Sequence, residues 1–94
     1  MRIAQVIGTV TLNRCHSTFI GARLRLCVPL SLNELANGAA PAAEELVVWD
    51  ELGAGVGSRI ALSEGAEAAQ PFRPENKPVD AYNAAILDEI EVRK

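Results

Sequence analysis

Arg2-Ile3-Ala4-Gln5-Val6-Ile7-Gly8-Thr9-Val10-Thr11-Leu12 decides how the rest of the chain is read. Side chains of an extended strand alternate between two faces, so Ala4, Val6, Gly8, Val10 and Leu12 share one side and Ile3, Gln5, Ile7, Thr9 and Thr11 the other. The β-branched residues suit a pleated surface better than a helix. Outward from this strand, residues 13–18 are polar and read as a turn or loop. A second strand follows, with Leu24, Leu26, Val28 and Leu30 facing inward and Arg23, Arg25 and Cys27 outward. Pro29 has no N–H to give to a ladder, which places the end of that strand at a sheet edge.

Residues 31–43 contain Asn37-Gly38 and Pro41 and read as a long loop. Leu46-Val47-Val48-Trp49 is a short strand whose unbroken apolar run implies cover on both faces. After Gly53-Ala54-Gly55-Val56-Gly57 comes Ser58-Arg59-Ile60-Ala61-Leu62, a strand with Ile60 and Leu62 inward. Residues 64–70 suit one or two helical turns, and Pro71, Pro74 and Pro78 make the next stretch irregular. Asp80 is placed as the N-cap of a short helix over residues 81–84. Residues 85–92 return to strand character, with Ile86, Ile90 and Val92 on one face. The expected class is all-β: one domain over residues 1–94, a small five-stranded closed barrel with one or two short helices.

The chain has 94 residues, 49% of them hydrophobic and 22% charged, a balance suited to folding and unlike that of disordered chains. Its apolar runs are far shorter than the roughly 20 residues a membrane span requires. The first residues have no apolar signal-peptide core, so a cytosolic chain is expected. The net charge of −3 and only four aromatics, Phe19, Trp49, Phe72 and Tyr82, weigh against a nucleic-acid surface, which needs a basic stripe and stacking rings. Cys15 and Cys27 are read as reduced thiols.

Little of the reactive chemistry survives scrutiny. Cys15 and His16 are adjacent, and neighbours in an extended chain point apart, so they do not share a metal or form a nucleophile–base pair. No further ligand sits at zinc spacing, and no metal or cofactor is expected. Asp80, Asp88, Glu89 and Glu91 cluster late, but Glu89 and Glu91 alternate with Ile90 and Val92 as on a solvated strand face, not as an acid–base pair. The 53–57 run is G-x-G-x-G, lacks a lysine and leads into a strand, so it is not a phosphate loop. Two readings of these glycines stay open: they supply positive φ in a tight loop, or they let several copies approach closely around a symmetry axis. The apolar surplus on the first strand and on residues 46–49 has two readings as well, a core wrapping one strand or burial between subunits.

Met1-Arg2-Ile3-Ala4-Gln5-Val6-Ile7-Gly8-Thr9-Val10, Gly21-Ala22-Arg23-Leu24-Arg25-Leu26, the segment Leu52-Gly53-Ala54-Gly55-Val56-Gly57-Ser58-Arg59-Ile60-Ala61-Leu62, and Lys77-Pro78-Val79-Asp80-Ala81 with Ala85-Ile86-Leu87-Asp88 occur in this order along the chain. Together they resemble the bacterial microcompartment vertex proteins, the EutN/CcmL family. The resemblance implies an oligonucleotide-binding-like barrel assembled as a cyclic homopentamer. It implies a non-enzymatic shell component at the five-fold vertices, in the cytoplasm, among hexameric and trimeric tiles, with neither nucleic acid nor membrane as partner. In such a ring Gly53, Ala54, Gly55, Val56 and Gly57 are expected near the five-fold axis, contributing to a narrow central opening, and Ile3, Ile7, Val47, Val48 and Trp49 are the candidates for subunit contact. The competing expectation is a barrel that binds single-stranded nucleic acid or a small ligand.

Overall fold

The computed structural model describes residues 1–93, so the single domain expected over residues 1–94 reaches one residue past them. Five strands, β1 (Arg2–Val10), β2 (Leu24–Pro29), β3 (Leu46–Trp49), β4 (Arg59–Glu64) and β5 (Ala81–Leu87), close into a barrel in the order β1-β2-β3-β5-β4. Neighbours are antiparallel except β3 and β5, which run parallel and meet at Trp49 and Tyr82. Closure removes the open edges that a small sheet would otherwise expose.

β1 pairs with β2 on one side and β4 on the other. Ala4 and Val6 are fully buried, as the alternation requires. The single face expected for residues 4–12 is nevertheless broken at Ile7. Val6 lies opposite Cys27 while Gly8 lies opposite Leu26, so Ile7 is an extra residue, a β-bulge that exchanges the faces of the strand beyond it. Val10 consequently packs with Leu24 and Trp49 outside the barrel wall.

β2 reverses the expected phase. Cys27 is fully buried inside the barrel with Val6, Val48, Ile60 and Leu62, whereas Leu24 belongs to the outer cluster with Trp49, Ala68 and Val79. The register pairs Arg25 with Val48 and Leu24 with Trp49, which sets both faces. The barrel wall carries apolar side chains on both sides here, so an apolar residue does not reveal which side is interior. Each fully buried Ile or Leu of the inner cluster stabilises by about 1.5–3 kcal/mol through area removed from water.

All four aromatic residues meet on the outside of the wall. Ring centroids are 5.5 Å apart for Phe19 and Trp49, 4.8 Å for Trp49 and Phe72, and 5.5 Å for Phe72 and Tyr82. Two 3₁₀ segments, Ser17–Phe19 and Gly65–Phe72, deliver Phe19 and Phe72 to this cluster. The second occupies the helical turns expected over residues 64–70. Lys77 closes the cluster, its Nζ 5.2 Å from the Trp49 ring centre and donating to the Thr18 carbonyl at 2.8 Å.

Two other expectations are corrected. Residues 31–43 are not all loop, because Leu32–Asn37 forms helix α1. The Ser31 hydroxyl accepts from the Glu34 amide, the Glu34 carboxylate accepts from the Ser31 amide, and Gly38 ends the helix at φ 67°. A second Glu34 oxygen accepts from the Ala42 amide and ties the following loop down. These contacts hold the Glu34 carboxyl below its ordinary range, the Ser31 amide contributing most. Asp80 caps no helix: residues 81–87 are β5, paired along β4 from Glu64–Ala81 to Arg59–Leu87. Four residues form no stable helix alone, and the ladder offered by β4 outweighs local preference. The strand expected over residues 85–92 therefore starts earlier and ends at Leu87.

Candidate functional site

The connection from β3 to β4 holds the glycine run and is fastened at both ends. At its start Asp50, 1% exposed, turns its carboxylate back onto the loop backbone. Oδ1 accepts from the Leu52 amide at 3.0 Å and Oδ2 from the Ala54 amide at 2.8 Å. The side-chain amide of Asn83 on β5 donates to Oδ1 at 3.0 Å. The Arg25 guanidinium from β2 lies 3.3 Å from Oδ2 and donates to the Ala54 carbonyl at 2.8 Å. Burial alone would raise the Asp50 pKa; the hydrogen bonds from Asn83, Leu52 and Ala54 and the charge of Arg25 outweigh it and hold the carboxyl below its usual value.

At the other end the loop is clasped by β1. The Gly57 amide donates to the Val6 carbonyl at 2.8 Å and the Val6 amide to the Ser58 carbonyl at 2.9 Å. The Ser58 amide donates to the Gly55 carbonyl at 3.0 Å, closing a turn whose third residue, Gly57, has φ 93°. A type II turn requires positive φ at that position. Gly53 has φ 81°, whereas Gly55 is outside the left-handed region.

Of the residues expected near the axis, Ala54 is 1% exposed and joins the inner cluster, while Gly53, Gly55 and Gly57 are exposed and Val56 is 69% exposed. The five residues picked out for subunit contact divide. Ile7 and Val47 are 42% and 44% exposed, and Ile3 is half-buried. Val48 is fully buried inside the barrel and Trp49 is 5% exposed in the aromatic cluster, so the chain itself covers both. Val47 also lines a cleft of about 410 Å³ beside β3, with Leu12, Leu24, Trp49 and Val79.

Asp50, Arg25 and Asn83 were not singled out from the sequence. Asp50 left one trace, an acidic residue directly after an apolar strand with a glycine three positions on, the pattern of a side chain bonded to its own following backbone. Arg25 reads as an outward residue, and Asn83 joins the site only through the barrel.

Cys15, His16 and Asp80 line that same cleft beside β3. His16 Nδ1 accepts from the Thr18 amide at 3.2 Å and lies 2.9 Å from the Thr18 hydroxyl, so it caps the Ser17–Phe19 turn. Cys15 is exposed and Cys27 buried; burial, with the nearby Asp50 charge, pushes the Cys27 thiol up to about 11. Among the described residues no group of three or more His, Cys, Asp or Glu is placed to hold a metal ion.

Five strands closed into a small barrel, with a glycine loop fastened at both ends, define an oligonucleotide-binding-like module. The model of the family described as ethanolamine utilisation protein EutN/carboxysome matches residues 1–88, and the chain belongs to that family. It is similar to the bacterial microcompartment shell vertex protein PduN of Salmonella typhimurium, with 33% identity over 91 residues covering 96% of this chain and 98% of that one. It is also similar to the carboxysome shell vertex protein CcmL of Gloeobacter violaceus, with 33% identity, covering 98% and 87% of the two chains. Among solved structures, the GrpN pentameric microcompartment shell protein from Rhodospirillum rubrum superposes with a TM-score of 0.81 at 28% identity, covering 99% of this chain and all of that one. Gloeobacter violaceus CcmL superposes at 0.83 and 28% identity, covering 98% and 90%.

Proposed function

We propose that this chain is a vertex protein of a bacterial microcompartment shell, acting as one domain in a cyclic homopentamer that caps five-fold corners. The observation that carries the reading is the match of 99% of the chain to a pentameric shell protein, at a TM-score of 0.81. Family membership over residues 1–88 and relatives named as vertex proteins support it. The role is structural, the setting is the cytoplasm, and the neighbours are hexameric and trimeric shell tiles.

A ring of this kind needs two different patches per copy, each meeting the other on the next copy, with a rotation that closes. Ile7 and Val47 are the exposed apolar residues proposed for these patches, with Ile3 beside them. Val48 and Trp49 support them from within rather than touching a neighbour. The 53–57 loop is proposed to face the five-fold axis, where its glycines permit close approach.

Native mass spectrometry at two protein concentrations tests the assembly. Five copies of the 10.0 kDa chain give a species of about 50 kDa, the expected result. A stable 10.0 kDa monomer at both concentrations overturns the reading. Co-expression with hexameric shell tiles then tests the vertex role, with closed shells expected only when this chain is present.

A further inference from the structure

We propose that Asp50 is the positioning residue of the 53–57 loop, and that by drawing Ala54 into the barrel it makes Val56 the side chain each copy presents at the five-fold axis. The first half stands on this chain alone; the second rests on the vertex reading above. The strand ladders β1–β4 and β3–β5 leave residues 51–57 unpaired, so their shape is set by other bonds. The clasp on Val6 fixes only the exit of the loop. Its course before that is fixed at the Ala54 peptides, where the N–H is held by Asp50 and the C=O by Arg25, itself 3.3 Å from the same carboxylate oxygen. With Ala54 turned in and the chain reversing at Gly57, Val56 is left at the tip, 69% exposed.

Only a carboxylate meets all of these donors. Asp50 Oδ1 faces Leu52 and Asn83, and Oδ2 faces Ala54 and Arg25, so every group around it gives a proton and none accepts one. An asparagine of the same shape would turn an NH₂ toward one of these pairs, donor against donor. The position therefore needs an ionised acid, and the Asn83 side chain is held for it by accepting from the Ala85 amide at 3.1 Å.

Amide exchange followed by NMR on the assembled protein tests the first half. In Asp50→Asn, the Leu52 and Ala54 amides should exchange roughly 10- to 100-fold faster, the loss expected for charge-assisted hydrogen bonds, while Ile60 and Leu62 on β4 stay protected. Equal protection of Leu52 and Ala54 in the two proteins overturns it. If Asp50→Asn is insoluble, the native protein serves: the Leu52 and Ala54 amide shifts should move together as Asp50 is protonated in acid, and shifts that stay still overturn the proposal. For the second half, Val56→Cys in a Cys15→Ser background is treated with a short bis-maleimide, Cys27 being buried. Cross-linked dimers holding about four chains in five are expected, because a ring of five pairs off leaving one. An intact 50 kDa ring (about five chains) without cross-links overturns the presentation of Val56. A 10.0 kDa species overturns that half together with the vertex reading, whereas the exchange result still decides the role of Asp50.

Discussion

Alanine at position 57 and alanine at position 55 put the same methyl group two residues apart in one loop, and the two should act in opposite directions. Gly57 sits at φ 93° as the third residue of the 55–58 turn, and an L side chain in the left-handed region costs about 1–2 kcal/mol. Among the described residues, and apart from its two chain neighbours, no atom lies within 4 Å of the added Cβ, so within one chain the cost is backbone strain. Gly55 is outside the left-handed region and has the same open space. Alanine there restricts mainly the unfolded chain and stabilises by about 0.4–1 kcal/mol. In a domain of this size 1 kcal/mol corresponds to about 4–8 °C, so Gly57→Ala should melt roughly 4–16 °C lower and Gly55→Ala roughly 2–8 °C higher than the native protein. The assay is thermal unfolding read by the fluorescence of Trp49, the single tryptophan, at one fixed protein concentration so that mass action on the assembly is constant. An equal fall in Tm for both variants would refute the turn assignment. Gly55→Arg then separates folding from assembly. The chain has room for the arginine, so the barrel should fold, but five such side chains crowd an axis lined by these loops. A normal closed ring with Gly55→Arg refutes that crowding.

Leu62→Ala opens a void in the inner cluster, where Leu62 is fully buried, and should cost about 2–5 kcal/mol in denaturant unfolding; a loss below about 1 kcal/mol would contradict its placement. A maleimide or disulfide reagent should label one thiol per native chain, Cys15, and both after denaturation, because the Cys27 thiol is buried and shifted up to about 11; rapid native labelling of Cys27 would contradict the burial. Asp50 and Glu64 have folded pKa values below their ordinary ones, Glu64 chiefly through its hydrogen bonds from Arg2 at 2.8 and 2.6 Å. Each contributes stability that is present above the unfolded pKa and is lost as pH falls through the folded value. Unfolding free energy should therefore drop below about pH 4, with a shallower slope in Asp50→Asn, and an unchanged slope would show that Asp50 is not the group responsible.

Much of the barrel is legible in the sequence because alternation is a local signal. β1, β3 and β4 lie where their apolar patterns place them, and the 64–70 turns form, as a 3₁₀ segment. The cap box Ser31 with Glu34 and the stop at Gly38 are also local, so α1 was readable although the 31–43 loop reading passed over it. The glycine run was recognised as the unusual loop, and two of its glycines do require positive φ. Its fastening was not recognised, since Asp50 and Asn83 are 33 positions apart and Arg25 comes from another strand.

By itself, then, the sequence determined that this is a small all-β chain with a glycine-marked loop and the ordered segments of the vertex-protein family, for these depend on spacing between near neighbours. The tertiary structure alone decided which side of the wall is inside. A period of two tells which side chains share a face but not which face is the core, and a wall with an inner aliphatic cluster and an outer aromatic one hides the difference. The bulge at Ile7 and the register of β2 settle it, sending Cys27 inward and Leu24 outward. Closure likewise decided that residues 81–87 are strand, because β4 supplies the hydrogen-bond partners that a four-residue helix could not make for itself. The same closure brings Arg25, Asp50 and Asn83 together, and with them the shape of the loop.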